Sequence, residues 1–296
     1  MNVQELIAND TSIQTSCQKK PNFLCIGAQK AGTTWLHYNL KAHPEIWLPP
    51  VKEIHYFDQV YKVTARHGAI QNGRLKKLEN ALKRKLEGKK VGYKHLEFLG
   101  NFALREQKND DWYLSLFDNA GEQRVIGDVT PAYSALPEEG VAHIRNLLGD
   151  IKIIFIMRNP VKRMWSGLVM GKRNEIQRGE VTSVEEWLQL AQEDRNKIRA
   201  DYRRTIEHYE RYFSPENILY LFYDQIRLNP LGFLEEVCNF LDIEFKESDF
   251  SQTISGVYNS NPKVTIPDEV KDFLTHEYRE QMEWIEARFN PESFEL

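Results

Sequence analysis

The chain has 296 residues, 41% of them hydrophobic and 28% charged. That balance supplies a sizeable core and excludes collagen-like, low-complexity and wholly disordered chains. Lys and Arg number 39 against 43 Asp and Glu, a formal net charge of -4. A chain-wide basic field for gripping nucleic acid is therefore absent, which still leaves room for a local cationic pocket. The three cysteines, Cys17, Cys25 and Cys238, form no C-x-x-C pair. Zinc knuckles and dithiol redox motifs are thereby removed, and a reducing compartment fits. Residues 1–20 are polar, with no apolar stretch of signal-peptide length. The longest apolar runs, such as Ile153–Met157, are far too short to cross about 30 Å of hydrocarbon. The expectation is a soluble, cytoplasmic protein without a membrane anchor: a loose leader over 1–20, then one domain over 21–296.

Phe23-Leu24-Cys25-Ile26-Gly27 is a short apolar run closed by glycine and reads as a buried strand. A helix is expected from Gly32 through Trp35, Leu36 and Leu40 until His43-Pro44 stops it. Residues 74–90 read as a basic amphipathic helix, a solvated face or a docking surface for an acidic substrate or carrier. Further buried-strand runs are 124–128, 151–157 and 218–223, separated by helical patterns at 137–148, 160–178, 184–212 and 230–242. The pattern at 268–289 is a last helix, with Phe273, Tyr278, Met282, Ile285 and Phe289 inward. Strands alternating with helices predict an α/β fold: three layers, a central mainly parallel sheet flanked by helices, P-loop-like in order.

Gly27-Ala28-Gln29-Lys30-Ala31-Gly32-Thr33-Thr34-Trp35 joins the first strand to the first helix. The N–H groups of a first helical turn converge on one spot, where the helix dipole favours an anion. The two glycines have Walker A spacing, but Thr33 stands where a kinase has lysine, and the loop's lysine is Lys30. A nucleotide kinase also uses an acidic residue after an apolar strand to help hold magnesium. Here the strongest strand delivers Arg158, a planar, permanently charged fork suited to phosphate. Eight residues on, Ser166 supplies a hydroxyl if Pro160 opens the next helix. Asp128 is the remaining carboxylate for a magnesium-dependent kinase, the alternative reading.

Pro50-Val51-Lys52-Glu53-Ile54-His55-Tyr56-Phe57 carries the candidate base. If the segment is extended, Glu53 and His55 point to one face, because strand side chains repeat every two residues. A carboxylate beside an imidazole is a workable acid–base pair.

Three of these segments, in order, resemble the PAPS-dependent sulfotransferases. Lys30-Ala31-Gly32-Thr33-Thr34-Trp35 is similar to their 5′-phosphosulfate loop. Arg158-Asn159-Pro160 with Ser166 resembles their 3′-phosphate motif. Leu221-Phe222-Tyr223-Asp224 followed by Asn229-Pro230 resembles the segment that places an adenine-contacting tyrosine. The resemblance runs over most of 21–245. It implies the donor 3′-phosphoadenosine 5′-phosphosulfate (PAPS), the product PAP and no required metal. It further implies that Lys30 neutralises the oxygen bridging sulfur and phosphorus. The amides of Ala31, Gly32, Thr33 and Thr34, with the two threonine hydroxyls, hold the 5′-phosphate. Trp35 stacks on adenine, Tyr223 contacts it, and Arg158 and Ser166 hold the 3′-phosphate.

The 50–57 segment resembles the K-E-x-H-x-F stretch of carbohydrate sulfotransferases, where the glutamate is the base, whereas G-T-T-W is like the cytosolic type. Glu53 is favoured as base, with His55 close behind. Gly127 to Tyr133 resembles a substrate-side loop of the carbohydrate enzymes, but Val129 stands where lysine is frequent. The cytosolic R-K-G signature is absent, and Lys263 in the 256–264 stretch is a candidate for the 3′-phosphate. The implied acceptor is a hydroxyl on a sugar, a small metabolite or a carrier-bound hydroxyacyl group, with neither nucleic acid nor membrane as partner.

Overall fold

The computed structural model describes residues 18–63, 67–106, 108–258 and 261–291, so most of the expected leader lies outside the described residues. Five strands pair in parallel: β1 (Phe23–Gly27), β2 (Ile46–Trp47), β3 (Val125–Val129), β4 (Lys152–Met157) and β5 (Ile218–Phe222). Their order across the sheet is β2-β3-β1-β4-β5. Leu24 sits opposite Asp128 on one side and Ile153 on the other, so β1 is the central strand. Every residue of β1 and β3 is buried, as is all of β4 after Lys152. That explains why these strands read as continuous apolar runs: helices cover both faces.

The sheet agrees with the α/β expectation, and the differences are local. β2 is two residues long, too short to leave a periodic signal. The 160–178 pattern breaks at Lys172, which leaves the helix after Gly171. The 184–212 pattern divides into Val184–Gln192, Asp194–Lys197 and Tyr202–Glu210. Its last piece starts afresh because the Asp201 side chain accepts from the Arg204 N–H. The basic helix runs over His67–Leu86, earlier than 74–90. The C-terminal pattern divides at Tyr278; Tyr278 and Ile285 are buried, whereas Phe273, Met282 and Phe289 are only partly so.

One apolar cluster fills the space around the sheet, and a second joins helices Pro160–Gly171, Val184–Gln192 and Asp268–Glu277 through Met164, Leu168, Trp187 and Leu274. Among the described residues no helix is long and apolar enough to cross a membrane. The fold's functional consequence is positional. β1 and β4 are parallel neighbours, so the loops leaving their carboxyl ends lie side by side. The strand order also reverses at β1, and such switch points are where open α/β sheets bind ligands.

Candidate functional site

The loop after β1 is shaped by two left-handed residues. Gly32 has φ +84° and caps helix Thr33–Ala42, a left-handed conformation that glycine adopts without strain; a Cβ there would also lie 2.5 Å from Ile226 Cδ1. Lys30, with φ +71°, adopts the same region without that freedom. Six described non-glycine residues have positive φ, and Lys30, Glu53 and His55 are three of them. Strained backbone of this kind clusters at functional sites, where the surrounding structure holds it.

A cleft of about 790 Å³ opens above the carboxyl ends of the strands. Lys30, Gly32, Thr33, Thr34 and Trp35 line one side, with Arg158, Ser166 and Tyr223 also on its walls and Glu53 at the edge. The sequence-predicted site residues therefore meet in one place, except Ala31 and His55, the latter lying just behind Glu53. Ala31 is fully buried and its N–H donates to the Ala28 carbonyl at 3.2 Å, so the expectation that this amide faces an anion fails. Trp35 is 8% exposed; its Nε1 donates to the Ile254 carbonyl and its ring meets Phe233 edge-on. Most of that indole belongs to the core, with an edge on the cleft.

The cleft's charge is not balanced. Arg158, Arg173 and Arg227 line it. None of the three has a carboxylate within ion-pairing distance among the described residues. Arg158 Nη1 donates to the Lys30 carbonyl at 2.9 Å, its guanidinium lies 4.5 Å from the centre of the Tyr223 ring, and its Nε has no hydrogen-bond partner among the described residues. Burial, with Arg158 and Arg173 nearby, pushes the Lys30 ammonium down to about 8. In a chain of net charge -4 this is a local cationic pocket suited to a multiply charged anion.

Glu53 and His55 do meet, but not by strand alternation: their φ values are +65° and +55°. Neighbouring elements hold this turn. The Ile54 N–H donates to Thr130 Oγ1 at 3.0 Å, and buried Arg74 donates to the carbonyls of Ile54 and His55 at 2.8 and 3.1 Å. His55 Nε2 lies 3.2 Å from Glu53 Oε2, and His55 Nδ1 lies 2.8 Å from Asp58 Oδ2. Lys52 pairs with the other Glu53 oxygen. Burial opposes charge on His55, but the two carboxylates win and raise it to about 9. Burial likewise opposes ionisation of Glu53, yet the hydrogen bond from His55 and the charge of Lys52 hold its carboxyl well below the usual range. The result is carboxylate–imidazolium–carboxylate in a row.

Asp58, Asn261, Arg163 and Arg173 escaped the sequence reading. Asp58 is invisible until His55 turns toward it, three residues away. Asn261 Oδ1 accepts from Lys30 Nζ at 3.1 Å while its Nδ2 donates to the Ser166 carbonyl at 2.6 Å and to Ser166 Oγ at 3.2 Å. It thus links the two ends of the cleft. Lys263, the residue expected from that stretch, is exposed and outside the cleft lining. Asp128 is also unavailable: fully buried, it accepts from Thr130 Oγ1, Tyr133 OH and Tyr113 OH at 2.7, 2.9 and 3.2 Å. Val129 is 2% exposed and faces the core, so of this strand and the turn after it only Pro131 reaches the cleft.

Arg163 fastens the loop from beneath. It is 1% exposed and donates to the Gln29 carbonyl, Gln29 Oε1 and the Asn196 carbonyl at 3.1, 3.3 and 3.4 Å. Arg163→Ala is expected to lower stability by about 2–4 kcal/mol, since it removes charge-assisted bonds to three half-buried acceptors and leaves a cavity where a fully buried side chain was. Urea unfolding measures this; a change below about 0.5 kcal/mol, the surface-substitution range, would show that Arg163 does not secure the loop.

Fold and cleft together define a P-loop-like α/β protein with a cation-lined cleft at the carboxyl end of its central strand. A model of the sulfotransferase family matches residues 21–247, and the chain belongs to that family, a family of transferases. It is 28% identical over 149 residues to the membrane-associated sulfotransferase kil1 of Dictyostelium discoideum, a match covering 49% of this chain and 22% of that protein. The chain thus spans about a fifth of that curated relative's length. Among solved structures, a sulfotransferase from Alicyclobacillus acidocaldarius superposes with a TM-score of 0.62 at 20% identity, covering 93% of this chain and 98% of that one. The sulfotransferase domain of the Synechococcus PCC 7002 olefin synthase gives 0.51 at 18% identity, covering 88% and 95%.

Proposed function

We propose that this protein transfers a sulfuryl group from PAPS to a hydroxyl acceptor. The observation that carries the reading is that Lys30 and the Gly32–Thr34 turn share one cleft with Arg158 and Ser166, and that the cleft's three arginines lack carboxylate partners among the described residues. A donor with phosphate at both ends of an adenosine matches two anion-binding places joined by an aromatic-edged gap. The volume lies within the range of ordinary ligand pockets.

Each residue then has a part. The first-turn amides and the Thr33 and Thr34 hydroxyls hold the 5′-phosphate, Arg158 and Ser166 hold the 3′-phosphate, and Trp35 and Tyr223 bound the adenine. In the transfer, the acceptor oxygen forms the new bond to sulfur as the bond from sulfur to the 5′-phosphate oxygen breaks. The acceptor proton passes to Glu53, and PAP leaves with its charge neutralised by Lys30. Positioning and fixed charges supply most of the barrier reduction, as in phosphoryl transfer. The kinase alternative loses its carboxylate, because Asp128 is already engaged with three hydroxyls.

Calorimetry with PAP, ATP and ADP, each with and without magnesium, tests the donor. PAP is expected to bind most tightly and independently of magnesium, and its affinity should appear as a raised unfolding temperature. Tighter magnesium-dependent ATP binding would replace this reading with the kinase one.

A further inference from the structure

Beside the donor cleft lies a second cavity of about 370 Å³. The two share Gln29 and Met170. The acid–base pair straddles their junction: Glu53 lines the cleft and His55 lines the second cavity, with 3.2 Å between them. A hydroxyl in this cavity lies on the His55 side of the pair, one 3.2 Å contact from Glu53 on the cleft side.

The cavity's wall tells what kind of molecule it accepts. Ile70, Leu168, Met170 and Leu190 supply apolar surface, and Gln29 and Asn196 supply neutral amides. Two of its cations, Lys172 and Arg195, are paired with carboxylates of the chain itself. Lys172 pairs with Glu175 at 3.5 Å and with Glu186, Arg195 pairs with Glu193 at 2.5 Å, and Arg199 Nη1 donates to the Arg195 carbonyl at 2.9 Å. The catalytic corner balances too, Lys52 and protonated His55 standing against Glu53 and Asp58. The donor cleft is different, with three arginines outside any ion pair among the described residues. An anionic acceptor would have to break existing pairs in the second cavity or compete for the donor's own arginines. A neutral molecule with an apolar body does neither, and it gains by removing Leu and Met surface from water.

Resting on the sulfotransferase reading above, we infer that this second cavity is the acceptor pocket and that it selects a neutral alcohol or phenol with a compact apolar body over an anionic sugar. The charge placement separates the two sites by chemistry: three arginines without a carboxylate among the described residues for the donor, and aliphatic surface with Lys172 and Arg195 already ion-paired for the acceptor.

The test compares matched acceptors with PAPS and the full chain: 2-naphthol, 6-hydroxy-2-naphthoate and a sulfated chondroitin oligosaccharide. The expected result is a kcat/KM at least tenfold higher for 2-naphthol than for either anion. Leu190→Arg is expected to weaken 2-naphthol binding, read by its fluorescence, at least tenfold while PAP affinity stays within twofold. Leu190→Gln, a milder change at a partly exposed position, should move the same quantity in the same direction. PAP calorimetry on the same preparations distinguishes the two possible failures. If PAP does not bind, the donor reading falls and the inference with it. If PAP binds but the anionic acceptors match or exceed 2-naphthol, if none of the three is sulfated, or if both Leu190 variants leave naphthol binding unchanged, the acceptor assignment alone is overturned.

Discussion

Lys30→Ala is expected to reduce sulfuryl transfer by about 10²–10³-fold, the usual effect of deleting one preorganised group that meets charge developing in the transition state. PAP affinity should fall much less, because Arg158, Ser166 and the first-turn amides keep their places in the cleft. The pH dependence gives an independent check. Burial and the neighbouring arginines lower Lys30 from an ordinary 10.5 to about 8. Its charged form is therefore present below pH 8 and is lost as pH rises through that value, so kcat/KM for the donor should decline on the alkaline side near pH 8. Once the phosphosulfate is bound its negative charge favours the ammonium, and the alkaline limb of kcat should lie higher than that of kcat/KM. Lys30→Arg keeps its charge throughout, so any residual activity should lack the limb. Asn261→Asp adds a carboxylate at the 3.1 Å contact and should move the limb upward while weakening donor binding. Near-normal turnover by Lys30→Ala, or an alkaline limb unmoved in both other variants, would remove Lys30 from the transfer.

How much of this was readable beforehand follows from where each signal resides. β1, β3, β4 and β5 were legible because strands covered on both faces cannot hide their apolar runs. Lys30, Gly32, Arg158 and Ser166 were legible because a glycine turn into a helix and an arginine after a buried strand are local patterns with a local purpose. Asn261 was not, since its partners are 231 and 95 residues away. Asp58 was not, since its role depends on a left-handed His55 that no propensity announces. The Glu53–His55 contact was anticipated through the wrong geometry. Alternation in an extended segment predicts one shared face; the chain instead makes a tight turn held by Arg74 and Thr130. The helix boundaries at 172, 193 and 278 failed for a simpler reason: apolar periodicity continues across a break when both pieces pack on the same core. The acceptor side was the least legible, because Ile70, Leu168 and Leu190 look like any core-facing residues until the cavity gathers them.

Glu53→Gln is expected to lower kcat by about 10²–10⁴-fold, the contribution of a positioned base, with PAP affinity unchanged. The choice between the two candidate bases turns on who holds the proton at rest. Two carboxylates raise His55 from 6.5 to about 9, so at pH 7 both ring nitrogens carry hydrogen and no lone pair is left to accept one. Glu53, held ionised by His55 and Lys52, is acceptor-only and faces the donor cleft. So strong a stabilisation puts Glu53 below the optimum for a base at pH 7, which places the expected loss toward the lower end of that range. His55 therefore acts as a positioning residue that fixes the carboxylate and, through Asp58, its own ring orientation and charge. His55→Gln should reduce kcat less than Glu53→Gln does, and should let Glu53 rise toward an ordinary 4.5, moving the acid limb of kcat upward. A merely structural histidine would leave that limb in place. The pair titrates as a unit, so the limbs belong to the cluster. Its effect on folding has a definite sign. The lowered Glu53 contributes stability that is full above about pH 4.5 and is lost as pH falls; the raised His55 contributes stability that is full below 6.5 and is lost as pH rises through about 9. The difference in stability between wild type and His55→Gln should accordingly be largest between pH 4.5 and 6.5 and shrink on both sides. If His55→Gln abolishes turnover while Glu53→Gln retains it, the proton goes to the imidazole and the order of roles is reversed.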